Sequence, residues 1–397
     1  MKLNIKKPVI TLILSQFLVC LGISLVIPVM PFLKNIYHFS ALEMGIMQAL
    51  FAFSQFIFSP FFGRLSDRMG RKNLLIDGLL LFVISEFMFA KANSLFLFNV
   101  SRFIGGVSAA IVVPISNALA ADLTNEIQRA KVIGFLAAAF SGGLILGPGI
   151  GGILANHYFK DPFWLAGILG FISMLAVIIF LPTENKHLKS SRFFKRRLFS
   201  FNFIKNWGTI LDKRLFFLLI LILFTSFGLI GFESVYTLYV NAALHFSLGN
   251  IALALTLNGI ISLILQVFFF DALVRRWGEI KIIKYGFLFC LIGAGWLILA
   301  HLKIEAIIAT LFFFEAEDLI RPALTTLLTK LSAKNQGLIN GLNVSLSSLG
   351  NIFGPIISGK LLDIHLSYPY LVVVIFMVVS FITTSWLEKR FRFKTLN

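Results

Sequence analysis

Glu86, Arg102, Glu233, Glu315, Glu317, Asp318 and Arg321 are ionisable side chains set inside long apolar runs. Charge is expensive away from water, so groups at such depth pair with one another or handle protons, ions or substrate. A carboxylate taken out of water can accept a proton on one side of a membrane and release it on the other. Four of the seven crowd into "FEAEDLIRPALT". With Glu315 at 0° and about 100° per residue, Glu317 falls at about 200°, Arg321 at about 240° and Asp318 at about 300°. Arg321 therefore sits between Glu317 and Asp318, and Glu315 points elsewhere. An acid in standing contact with arginine stays charged and makes a poor proton carrier. The spacing predicts Glu317 as the partner of Arg321 and leaves Asp318 free to exchange protons. Glu86 reads as a structural hydrogen-bonding residue. The histidines are scattered, and Cys20 and Cys290 fall within apolar runs. No metal site, disulfide framework, cofactor or nucleophile–base pair is expected, and neither is a nucleotide-binding loop.

The elements that hold these groups are spans. The chain has 397 residues, 58% hydrophobic and 13% charged, with mean hydropathy +0.90, too apolar for a soluble core. Runs long enough to cross a bilayer occur twelve times, at about 8–33, 42–63, 73–91, 95–121, 132–155, 162–182, 214–241, 250–271, 282–301, 304–331, 337–361 and 368–387. The first follows Lys2, Lys6 and Lys7 but continues without a small-residue cleavage site, so it reads as a retained helix. A net charge of +17 would suggest nucleic acid in a soluble protein. Here 28 of the 35 Lys and Arg residues lie in alternate connections on one side, and five lie on the other. The excess of cations predicts that both termini are cytoplasmic, with anionic lipid rather than nucleic acid as the partner of the basic charge.

The longest polar stretch, at 183–213, divides the chain into six spans in 1–182 and six in 214–397. Its "SRFFKRRLFSFNFIKNW" alternates cations with aromatics and reads as an interfacial segment. Sliding the second half back by 207 or 208 residues aligns "HFS" at 38–40 with 245–247, "FFGRLSDRMG" with "FFDALVRRWG", Pro114 with Pro322, and "GPGIGG" with "GPIISG". Four matches in one order point to a duplicated six-helix unit. Such repeats are typical of transporters with a site between the halves near the bilayer midplane.

Three glycine-bearing motifs sit on this frame. "FFGRLSDRMGRK" reads as the turn between spans 2 and 3, with Gly63 allowing close helix approach, Gly70 permitting a tight turn, and Asp67, Arg68 and Arg71 between and after them. In span 4, Arg102, Gly106, Ala110 and Pro114 recur every fourth residue and share a face; the small residues there favour a cavity-facing Arg102 over one that snorkels to the membrane surface. In span 5, Gly143, Gly147 and Gly151 make a smooth face for packing, Pro148 removes a backbone hydrogen bond, and Gly152 follows.

These motifs resemble those of the major facilitator superfamily. The span 2–3 turn is similar to its loop signature, Arg102-x-x-x-Gly106-x-x-x-Ala110 to its span 4 pattern, and Gly143-x-x-x-Gly147-Pro148-x-x-Gly151-Gly152 to the antiporter signature of its drug:proton exchangers. "LGISLVIPVMP", "SEFMFA", "SFGLIGFESVYTLY", "FEAEDLIRPALT" and "GLNVSLSSLGNIFGP" look like the NorA/Bmr group of bacterial multidrug efflux pumps. The resemblance spans the whole chain. It implies an all-α membrane protein of twelve transmembrane helices in two pseudo-symmetric six-helix bundles. The implied protein is a monomer in the bacterial cell membrane that exchanges protons for amphipathic, cationic or zwitterionic drugs. It further implies proton coupling at Glu233 and Asp318 and drug contact at Phe51, Gln55, Arg102, Tyr236, Phe314 and Asn351. Gating or sealing falls to Gly63, Asp67, Arg68, Gly70, Arg71 and the span 5 glycines with Pro148. The alternative reading keeps the fold and carries a physiological metabolite or lipid. An enzyme or a receptor is disfavoured, for want of a catalytic constellation and of a sensory domain.

Overall fold

The computed structural model describes residues 3–124, 126–182, 213–331 and 336–391. The basic linker, including the interfacial segment expected there, lies outside the described residues. The rest forms twelve helical rods. In the first bundle, α1 (Leu3–Leu25) continues through a 3-10 turn at Ile27–Val29 into Met30–Tyr37. It is followed by α2 (Ala41–Met69), α3 (Arg71–Lys91), α4 (Leu95–Leu123), α5 (Glu126–Ala155) and α6 (Asp161–Phe180). In the second, α7 (Lys213–Leu244) precedes α8 (Leu248–Ile264), which runs on through a π-turn at Leu265–Phe269 into Phe270–Trp277. Then come α9 (Glu279–Leu299), α10 (Lys303–Leu331), α11 (Gln336–Ile364) and α12 (Tyr368–Phe391).

Ten rods are long and apolar enough to cross a membrane. The other two, α10 and α11, carry the charged "FEAEDLIR" and the polar "NVSLSSLGN". The protein is a multi-pass membrane protein with two six-helix bundles. The duplication seen in the sequence recurs in the backbone. His38 and His245 both adopt left-handed conformations, at φ 55° and 51°. Ser40 and Ser247 then cap α2 and α8, the hydroxyl satisfying an amide that has no partner within the helix.

One expectation needs correction. Residues 61–69 are the last turns of α2 rather than a loop, because the helix persists until Gly70, where φ of 96° ends it. Gly278, at φ 76°, makes the same break in the second bundle. Directly after these turns, charges tie helix ends within each bundle. Arg71 donates to Ala118 O at 2.9 Å and to the Asp122 carboxylate, and Lys72 donates to Ile178 O at 2.9 Å. In the second bundle Lys284 pairs with Glu388 at 2.9 Å and Lys330 with Glu279 at 2.6 Å. This end is called the basic face below, and the opposite end the far face.

The bundles join through α2 against α11 and α5 against α8. On the far-face halves of these helices the backbones nearly touch. A Cβ on Gly45 would overlap Pro355 O, one on Gly359 would overlap Ala41 O, and one on Gly152 would overlap Ala252. On the basic-face halves, a Cβ on Gly63, Gly134 or Gly341 would meet no described atom within 4 Å. The close approach expected at Gly63 is therefore not made in this conformation. The hydrophobic core agrees. Val26, Val29, Leu33, Met44, Met47, Phe89 and Phe98 of the first bundle are continuous with the core of the second, whereas the remaining first-bundle core is separate. The two bundles are closed at the far face and splayed at the basic face.

A carboxylate latches the closed end. Asp363, at the end of α11, accepts from Ala41 N at 2.7 Å and Leu42 N at 2.8 Å. Glu43 N donates to Ser40 Oγ at 3.1 Å. The exposed amides that begin α2 are thus satisfied, two of them by the opposite bundle, and the positive end of the helix dipole meets a negative charge. Hydrogen bonds to charged groups contribute about 1.5–3 kcal/mol each. Asp363→Ala is expected to raise the far-face-open population by about tenfold or more. A membrane-impermeant maleimide reacting with a cysteine placed at Gln48 measures this, and unchanged labelling from the far side would sink the latch.

Candidate functional site

The charged cluster forms where α7, α8 and α10 meet inside the second bundle. Glu317 is 1% exposed, and its Oε1 accepts from Arg321 Nε at 2.8 Å. One helical turn separates the two on α10, so the i, i+4 spacing makes the pair directly. Arg321 turns the rest of its guanidinium outward, with its side chain 52% exposed. It lines a cavity of about 170 Å³ with Ile222, Thr225 and Ser226 of α7, Leu324 and Thr325 of α10, and Asn343, Ser347 and Asn351 of α11. Glu233 on α7 is exposed and feels the charges of Arg321 and Asp318.

Asp318 has a neutral partner on another helix. Its Oδ2 accepts a hydrogen bond from Ser262 Oγ of α8 at 2.5 Å, and Gln266 Nε2 donates to the same hydroxyl at 3.0 Å. The helical wheel of α10 alone could not show this, because the partner comes from another helix. Glu315 is half-buried beside Asp318, and both of its carboxylate oxygens lack a hydrogen bond. Ser262 and Gln266 were legible only as polar residues in the apolar run "NGIISLILQVFFF".

An aromatic wall flanks the cluster. Phe232 and Phe313 stack at 3.8 Å, and Phe314 meets Phe232 and Tyr236 edge-on at 5.3 and 5.9 Å. Tyr236 and Phe314 are buried in this wall, while Asn351 is exposed in the cavity. On α2, Phe51 lies against α4 at Gly105, and Gln55 is half-buried. The structure thus brings Arg321, Asn351, Glu233, Glu317 and Asp318 together and places Tyr236 and Phe314 next to them.

Arg102 is a correction. It is 8% exposed and its guanidinium lies 4.3 Å from the centre of the Phe89 ring, inside the first bundle rather than in the cleft. The small-residue face of α4 is occupied by a helix, because a Cβ on Gly106 would overlap Ser54 Oγ and Phe51 O of α2. Glu86 faces it from α3, and each feels the other's charge. Reciprocal hydrogen bonds between Ser85 and Ser101, at 3.0 and 2.8 Å, hold the two helices at this level. Glu86 Oε2, Arg102 Nε and one terminal guanidinium nitrogen have no hydrogen-bond partner. The expected hydrogen-bonding role of Glu86 is replaced by a purely electrostatic one.

The α5 glycines divide between two neighbours. Gly143, Gly147 and Gly151 pack on α1 within the first bundle, where Ser24 Oγ donates to Gly143 O at 3.0 Å. Gly149 and Gly152 face Thr256 and Ala252 of α8 across the seam. Pro148 is buried inside a helix that continues past it. The side chains of Asp67 and Arg68 lie outside the described residues. Among the described residues no group of His, Cys, Asp and Glu is placed to hold a metal ion.

Comparison with known proteins agrees with this architecture. Residues 12–316 match the Major Facilitator Superfamily. The chain is 37% identical over 400 aligned positions to Multidrug resistance protein 2 of Bacillus subtilis (strain 168), covering 98% of this chain and 97% of that protein. It is 35% identical to Quinolone resistance protein NorA of Staphylococcus aureus, covering 91% of this chain and 92% of that protein. Among solved structures, the nucleoside transporter NupG superposes with a TM-score of 0.79 at 11% identity, covering 96% of this chain and 99% of that one. A bacterial homologue of the human lysosomal transporter Spinster, inward-facing and occupied, gives 0.75 at 14% identity, covering 96% of each. At those identities the two structures speak for the fold alone.

Proposed function

From the premise that this chain belongs to the Major Facilitator Superfamily, we propose that it exports amphipathic, cationic or zwitterionic drugs, including quinolones and dyes, in exchange for protons by alternating access. The observation that carries the reading is the meeting of Glu233, Glu317, Asp318 and Arg321 beside a cavity between α7, α10 and α11. Acids gathered around one arginine within the spans provide sites that can change charge during a cycle. The names of the relatives, a multidrug resistance protein and a quinolone resistance protein, support drugs as the cargo.

The basic face is cytoplasmic in this reading, with the protein in the bacterial cell membrane and both termini in the cytoplasm, because the excess of Lys and Arg lies there. The conformation is then open to the cytoplasm, and Asp363 and Gly152 belong to its closed outer gate. Glu233 and Asp318 exchange protons, while Glu317 keeps Arg321 neutralised. Tyr236, Phe314 and Asn351 contact drug, with Phe51 and Gln55 approaching from the opposite wall. Arg102 acts from within the first bundle, through Phe89 and Glu86. Asp67 and Arg68 act when the basic face closes and Gly63 gains neighbours. A monomer suffices, and no cofactor is required. Each proton is driven by about 2.3 kcal/mol per 100 mV of membrane potential.

Ethidium efflux from loaded cells, with and without a proton uncoupler, tests the reading. Efflux that stops only on uncoupling supports antiport, and equal efflux in both conditions overturns it. The polar lining of the cavity, with Thr225, Ser226, Asn343 and Ser347, favours a metabolite as the second reading. Competition of ethidium efflux by small polar solutes would reveal such a cargo.

A further inference from the structure

α8 leaves regular helical geometry at Leu265–Phe269, where it makes a π-turn. Such turns re-aim side chains and recur at functional sites. Gln266 lies in this turn and Ser262 one turn before it, and together with Asp318 they form a directed chain. The Gln266 amide nitrogen can only donate, and it donates to Ser262 Oγ. The hydroxyl has a single proton, which it gives to Asp318 Oδ2 at 2.5 Å. A donor aimed at a carboxylate favours the form without a proton. Were Asp318 protonated on that oxygen, the hydroxyl would become its acceptor, and the serine proton would need another acceptor.

We propose that Ser262, aimed by Gln266, is a positioning residue for Asp318. It favours the proton-free form of the carboxylate while the cleft is open to the basic face, and so sets the pH range of export. This rests on the antiport reading and goes beyond it by naming the group that governs proton release. Other charges also act at this point. Glu315, Glu317 and Arg321 share α10 with Asp318, Glu233 faces it from α7, and Cys290 approaches from α9. All are unchanged in a Ser262 variant, so a difference between variants isolates the hydroxyl.

The experiment uses the full-length protein in proteoliposomes. Ethidium export is followed against pH on the basic-face side, where the proton is released, for wild type, Ser262→Ala and Ser262→Thr, with circular dichroism to verify folding. Ser262→Ala is expected to lose half of its export at about a tenfold lower proton concentration on that side, the scale of one hydrogen bond to a charged group. Ser262→Thr, which keeps the hydroxyl, is expected to restore the wild-type profile. A serine serving only packing would change yield or maximal rate and leave the profile in place. A Ser262→Ala profile that superposes on wild type overturns the proposal, as does a threonine variant that matches alanine. Wild-type export that ignores the uncoupler overturns antiport itself, and that result is distinguishable because it needs no variant.

Discussion

Asp318→Asn is expected to give a folded protein that binds drug and has lost uphill export. The carboxylate sits beside the cavity-lining Arg321 and within reach of Glu233, and in the proposed antiport an amide cannot carry the coupling proton. With one proton per zwitterionic drug, about 2.3 kcal/mol per 100 mV sustains roughly a fiftyfold drug gradient, and this gradient should vanish in the variant. Glu317→Gln should behave differently. Its carboxylate is 1% exposed and bound to Arg321 at 2.8 Å. Breaking a buried pair by removing one partner costs about 3–5 kcal/mol, reduced here because Arg321 is half open to the cavity. Lower yield of folded protein is therefore expected, with coupling retained in what folds. Drug accumulation in inverted vesicles and size-exclusion yield measure the two effects. If Asp318→Asn keeps full uphill export while Glu317→Gln abolishes it without loss of folded protein, the roles assigned to these acids are reversed.

What the sequence made legible was local. Spans stand out because a bilayer demands long apolar runs, and the Glu317–Arg321 pair stands out because both residues lie on one helix at i, i+4. The Gly70 turn was legible too, although its position at the end of a longer α2 was not, since apolar residues and "GRLSDRM" are equally able to continue a helix. Contacts between helices were harder to read. A helix in a membrane is apolar on most sides, so periodicity does not tell which face meets water, lipid or protein. That is why Arg102 looked like a cavity residue on account of its small neighbours, when those neighbours in fact admit α2. It is also why Ser262, Gln266 and Asp363 escaped notice. Each is polar for a reason supplied by a helix distant in the sequence.

Gly152→Leu and Gly147→Leu should fail in different ways, although both residues belong to one glycine motif. Gly147 faces α1 at Ser24, a contact inside the first bundle that does not lie on the seam between the bundles. Leucine there forces two tightly packed helices apart, and overpacking costs typically about 1–3 kcal/mol and sometimes more. The expected result is poor folded yield, with little change in the balance between states. Gly152 instead faces Ala252 and Leu248 O of α8 across the seam, a contact made when the far face is closed. Leucine at this position penalises one state alone, so a ligand-free equilibrium shifts toward the far-face-open form. Folded yield should survive, while export stops or protons leak through a far-face gate that no longer seals. Proton flux into drug-free proteoliposomes, read with an entrapped pH dye, separates the two variants. Normal sealing and export by Gly152→Leu, together with a leaking but well-folded Gly147→Leu, would mean that the other glycine face forms the gate.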